Sequence, residues 1–142
     1  MALPIVTVDS LIANEFAVEI NGARVGGVLR VERLITFATD NAGNRIKPTF
    51  EIQKMVERDV NNAFNTWLRE TRANNNPEAR PRRDLTIVAI DDGIETRRWT
   101  AKNAWIQQVH YTAFDSASFE MVAEILAIAY DEIEESWPAS NS

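Results

Sequence analysis

Two dipeptides set the frame. Asn21-Gly22 closes an alternating run, Glu15–Ile20, with Phe16, Val18 and Ile20 on one face and Glu15, Ala17 and Glu19 on the other. Asp92-Gly93 closes a second run, Asp84–Asp91, of mostly β-branched and apolar residues. Both centres of a two-residue type I′ turn need positive φ, which Asn, Asp and Gly tolerate best. Period-two alternation ahead of such a turn specifies a half-buried strand and an antiparallel return. A chain punctuated this way is mainly β.

The remaining segments fill in around those turns. The first return strand is expected over Arg24–Thr36, with Leu29, Val31 and Ile35 on one face and Val28, Arg30, Glu32 and Leu34 on the other. Gly26-Gly27 marks a bulge or bend near its start. Residues 37–48 form a long loop whose polar centre, Thr39–Lys47, reads from its residues alone as a solvated connector. Phe50–Val56 is another strand, with Phe50, Ile52 and Val56 in register. A helix is expected over about 60–72, because Val60, Ala63, Phe64, Trp67 and Leu68 make one apolar stripe, with Asp59 as its N-cap. Asparagines and prolines in Ala73–Arg83 break structure into a mildly basic surface loop carrying Arg80, Arg82 and Arg83.

Glu95–Tyr111 reads as two short strands about a tight centre. Arg97-Arg98-Trp99 lies on one arm, and Asn103-Ala104-Trp105 opens the other. Paired tryptophans suit a half-buried sheet, where cross-strand aromatic contacts contribute roughly 0.2–1 kcal/mol each. Phe119–Ile133 stays open between two readings. Phe119, Val122, Ala123 and Leu126 fit a helix, which propensity favours. Val122, Leu126, Ile128 and Tyr130, with Glu124 between them, equally fit one face of a strand. Residues 1–13 are an apolar arm lying along the body or against a neighbour, and 134–142, with Trp137-Pro138, an exposed extension.

Composition excludes several function classes. The chain has 142 residues, enough for a single domain with its own core. It contains no cysteine, so neither a disulfide framework nor a thiolate metal site is available. A net charge of −6 argues against a nucleic-acid surface as the main business. No signal peptide is expected, and no apolar run approaches the length of a membrane span, so no membrane anchor is expected either. The lone histidine, His110, reads as a structural residue. Asp131, Glu132, Glu134 and Glu135 lack the spacing and central glycine of a calcium loop, and no phosphate-binding glycine loop occurs. No catalytic residue, cofactor or metal is assigned; the profile is that of an assembly or binding module.

The same residues carry a resemblance. Arg97-x-Trp99-x-x-x-Asn103-Ala104-Trp105, then Asp115-Ser116-Ala117-Ser118-Phe119-Glu120 and Glu124, resembles the C-terminal half of the tail tube proteins of contractile phages and related injection systems. Phe16–Ile20 followed by Val25-Gly26, then Lys47-Pro48, Arg58 and Trp67, resembles the earlier landmarks of that family. Arg98 with Asn103-Ala104-Trp105 and Ser118 with Glu124 complete the pattern. Asp59, Ile106 and the single Gly43 depart from it and bear on the subfamily.

The resemblance implies a two-sheet β-sandwich or barrel with one flanking helix, similar in fold also to type VI secretion tube proteins. Six copies would close a ring with a shared inner barrel lined by four strands from each. Rings would stack into a hollow conduit for DNA or a protein effector, inside a sheath and upon a baseplate hub and tube initiator. Assembly would occur in the cytoplasm, the product being part of a phage tail or injection particle. The resemblance makes residues 119–133 a strand over about 121–130. It makes Thr39, Asp40, Asn41, Asn44, Arg45 and Lys47, with the N-terminal arm, a ring-stacking interface, and Trp67, Arg98, Trp99, Asn103, Trp105 and Glu124 fold-defining. Lumen positions should be polar, a condition that Thr96/Arg98/Thr100/Lys102 and Gln108/His110 meet. The rival readings are a baseplate-proximal tube initiator and, in another class, a small β-rich ligand-binding domain around His110.

Overall fold

The computed structural model describes residues 11–140; the first ten residues of the expected arm lie outside them. The elements run β1 (Phe16–Ile20), β2 (Ala23–Val25), β3 (Val28–Glu32), β4 (Ala38–Thr39), β5 (Arg45–Ile46), β6 (Phe50–Met55), α1 (Ala63–Ala73), β7 (Arg83–Asp91), β8 (Ile94–Tyr111), β9 (Ala123–Ala129) and β10 (Glu132–Ser136). Both expected turns form, with φ of 50° and 84° at Asn21-Gly22 and 49° and 79° at Asp92-Gly93.

The Glu95–Tyr111 stretch is not a hairpin. It is the body of β8, one continuous strand of 18 residues. Its first half pairs with β7, and its second half pairs with β9. Asn103 does have a turn-like φ of 51°, but the chain uses it in a bulge. Lys102 and Asn103 together face Asp84, where the register slips between Arg83/Ala104 and Leu85/Ala101. The type I′ turn needs two successive residues at positive φ; here a lone one bends the strand without reversing it. The bulge turns β8 from one sheet into the other.

The result is two layers hinged on β8. Sheet A is β2-β1-β7-β8 with β10 on the far side of β8; sheet B is β8-β9-β6-β3. The expected return strand is split at Gly26-Gly27. β2 pairs with β1 over three residues, whereas β3 crosses to pair with β6. Gly27 sits at φ 79°, and a Cβ there would lie 2.6 Å from Glu57 Oε1, so glycine serves both the bend and the packing. The ambiguous stretch is strand over Ala123–Ala129: β9 has β6 on one edge and β8 on the other, and that pairing outweighs local helix propensity. The expected extension from Glu134 is instead part of β10, paired with β8 at Glu134↔Thr100.

The core lies between the layers. Val18, Ile20, Leu85, Ile87 and Ala101 come from sheet A, and Phe50, Ile52, Ile106, Leu126 and Ile128 from sheet B. Helix α1 adds Phe64, Trp67 and Leu68. It begins at Ala63 rather than Val60, since Asn62 is the cap: its Oδ1 accepts from the Asn65 amide at 2.8 Å. Asp59 instead accepts the Asn61 amide in the preceding turn, which leaves Val60 exposed. The layers do not close on themselves. An apolar cleft lined by Phe16, Val28, Val31, Leu34 and Ile87 separates β3 from sheet A.

Candidate assembly interface

Five of the expected interface residues share one feature, the β4–β5 hairpin. Asp40 organises it. Its Oδ1 accepts the amides of Ala42 and Asn44, each at 2.9 Å, and its Oδ2 accepts Asn44 Nδ2 at 3.2 Å. Those bonds, the Asn44 amide foremost, hold the Asp40 carboxyl below the usual aspartate range. Thr39, Asp40, Asn41, Asn44 and Arg45 thus sit on one built turn, and Lys47 follows it. The Arg45 guanidinium lies 5.0 Å from the centroid of the exposed Phe37 ring. At the base, Tyr130 donates from its hydroxyl to the Pro48 carbonyl at 2.8 Å. Burial pushes that phenol's pKa up, favouring the protonated donor. The segment is anchored, not a loose connector.

Sheet B has two edges without a partner among the described residues. One is the outer edge of β3; the other is the side of β8 turned from β9 over Trp105–Tyr111, beyond the last β7 pair at Ala104. Register fixes what its outward face carries. Arg30, Gln53, Ile125 and His110 form one cross-strand row, and Glu32, Glu51, Ala127 and Gln108 the next. Gln108 and His110 therefore lie on sheet B. Thr96, Arg98, Thr100 and Lys102 belong to sheet A, where Arg98 is tied to Glu19 and Glu95 and Thr100 shares a 2.9 Å hydroxyl contact with Thr86. The proposed polar alternation is split between two surfaces.

A sheet whose edges are unpaired among the described residues, with a polar outer face and a structured hairpin at one end, has the features of an assembly unit. A profile described as T4-like virus tail tube protein gp19 matches residues 12–134. The chain belongs to the tail tube protein family. No curated protein sequence matches it significantly. Among solved structures, the anti-feeding prophage tube-terminating cap is 17% identical over 94% of this chain and 95% of its own, with a TM-score of 0.74. A chain of the PVC sheath–tube complex, from an extracellular contractile injection system, is 14% identical over 90% and 92%, with a TM-score of 0.65. Hcp1 from Flavobacterium johnsoniae is 15% identical over 87% and 95%, with a TM-score of 0.57. These likenesses speak for the fold.

Within this tail tube protein the residues expected to be fold-defining have distinct partners. Trp67 is fully buried and donates from Nε1 to the Pro81 carbonyl at 3.0 Å. Trp99 donates to Glu135 on β10. Trp105 is covered by two guanidinium groups, Arg80 at 4.8 Å and Arg82 at 4.7 Å. Asn103 Nδ2 and Arg82 Nη1 both donate to Asp131, each at 3.1 Å. The arginines of the 73–83 loop thus clamp the β8 bulge. Glu124 is buried with Lys54, Oε1 to Nζ 3.0 Å, and its Oε2 accepts from Tyr111 at 2.8 Å. Lys54 escaped the sequence reading, although it lies two residues beyond Ile52 on the same strand face; Val56, expected in that register, instead falls past the end of β6 and is exposed. Asp131 and Glu135 are engaged separately, and no metal-binding cluster of acidic or histidine side chains occurs among the described residues.

Proposed function

We propose that this tail tube protein closes into a hexameric ring whose lumen is walled by sheet B, and that rings stack into the inner tube of a contractile phage tail or injection particle. The carrying observation is that, among the described residues, sheet B is four-stranded with both outer edges unpaired and a polar outward face. Unpaired edges invite strand addition, and joining β3 of one copy to β8 of the next in a closed ring leaves none. The outward face carries Arg30 against Glu32 and Glu51, one positive and two negative charges, hence −1 per copy with His110 neutral. A weakly acidic wall gives nucleic acid or an effector protein no sticky surface.

In this reading the protein is structural rather than enzymatic, is assembled in the cytoplasm, and meets a sheath, a baseplate hub and its initiator. Copy number per particle separates the main tube from a single ring at the baseplate. The apolar cleft, whose only charged lining residue among the described residues is Arg30, offers little to a ligand-binding reading, and His110 lies outside that lining. Because the chain has no cysteine, Arg30→Cys with His110→Cys gives a clean test. A short thiol crosslinker should produce a ladder of linked subunits ending at six, with rings in negative-stain electron microscopy. A species that stays monomeric at high concentration and never crosslinks would refute the ring.

A further inference from the structure

The β4–β5 hairpin and the loop joining β8 to β9 leave sheet B from opposite ends. The hairpin feeds into Phe50, which shares a row with Ile128 and Ile106. The loop, residues 112–122, joins Tyr111 to Ala123, at the end where Lys54 pairs with Glu124 and Met55 with Ala123. In a closed barrel these ends become the two rims.

The two features complement one another. The hairpin presents Phe37 and Ile46 with Arg45 and Lys47 outward, its one acid, Asp40, being turned onto its own amides. The loop presents Phe114, Phe119 and Met121 with Asp115 and Glu120. Phe119 is fully exposed, at 105%. The loop holds its shape through local bonds: Asp115 Oδ1 accepts the Ala117 amide and Ser118 Oγ the Glu120 amide, both at 3.0 Å. Aromatic side chains held in the open beside charge of one sign mark a contact surface rather than a solvated tip.

We propose that the 112–122 loop of one copy receives the hairpin of a copy in the adjacent ring. Phe114 and Phe119 pack against Phe37 and Ile46, while Asp115 and Glu120 face Arg45 and Lys47. Unlike surfaces on opposite rims make a head-to-tail contact, which propagates instead of closing and gives the tube its polarity. This pairing rests on the tube reading above and names the receiving half of its stacking interface.

A charge exchange tests it. One variant carries Arg45→Glu with Lys47→Glu, the other Asp115→Lys with Glu120→Lys. Each alone should form rings that fail to stack, because like charges then meet. An equimolar mixture should stack again in alternation, and so should a chain carrying all four changes. Circular dichroism and ring formation check the fold of each variant. Wild-type-like stacks from the loop variant would overturn the pairing, and loss of sheath binding with stacking intact would assign the loop to the sheath instead. A wild-type chain that forms no rings would sink the tube reading and this pairing together.

Discussion

Asp84 holds Lys102 across the β8 bulge: its Oδ2 accepts from Lys102 Nζ at 2.8 Å while its Oδ1 accepts the Asn103 amide at 3.1 Å. The lysine bond, then the amide, lower the Asp84 pKa, and the Asp84 bond raises that of Lys102. The aspartate's contribution is fully present above the ordinary aspartate value of ~3.9 and fades as pH falls through the lowered folded value. The lysine's contribution is fully present below ~10.4 and fades as pH rises through the raised one. Asp84→Asn should therefore lower the melting temperature at pH 7 and shrink the wild type's acid loss below about pH 4. The Asp84 side chain is 36% exposed, so the neutral-pH cost should be about 1 kcal/mol or less. A difference between wild type and variant that does not shrink as pH falls through the acid range would refute the clamp.

Lys54 and Glu124 form a buried pair, and breaking one side should cost more than replacing both. Lys54→Met leaves Glu124 in the core with only the Tyr111 hydroxyl and should destabilise by about 3–5 kcal/mol. Lys54→Met with Glu124→Leu should recover most of that loss, since well-packed apolar pairs often replace buried ions without penalty. A denaturant double-mutant cycle measures the coupling, and additive single losses would contradict it.

Trp67 ties the helix to both the core and the 73–83 loop. Trp67→Ala should lose about 3–5 kcal/mol through the cavity it leaves. Trp67→Phe keeps most of the volume but strands the Pro81 carbonyl, at a cost of about 1–3 kcal/mol. Limited proteolysis of Trp67→Phe should open the 73–83 loop first, and cleavage spread evenly along the chain would argue against that anchor.

Backbone conformation, not side-chain size, should rule at Asn103. With φ at 51°, a β-branched residue is strained, and Asn103→Val should cost roughly 1–3 kcal/mol. Asn103→Gly accepts the angle and gives up only the Asp131 bond, so it should be much milder. Thermal melts of the two variants settle the order.

Much of the fold was legible because it depends on local chemistry. Asn21-Gly22 and Asp92-Gly93 turn where positive φ demands, and the Phe16/Val18/Ile20 alternation faces the core. What escaped depended on partners far along the chain. Nothing near Asn103 says that Asp84 waits opposite to make a bulge instead of a turn. Nothing near Ala123–Ala129 says that strands will lie on both its edges. The cap moved from Asp59 to Asn62 because three Asx residues, Asp59, Asn61 and Asn62, lie within one turn and propensity does not rank them. The resemblance singled out residues that the structure gathers on the β4–β5 hairpin, whereas the rows on sheet B required the register.

One backbone runs unbroken from Ile94 to Tyr111 through both layers. Force applied along one layer is therefore handed to the other by covalent bonds, not by packing alone. Parting the layers loads the β7, β9 and β10 ladders together, because all three are built on that one strand. A thin wall made of such pieces would be stiff along its axis because each piece is cross-braced from within.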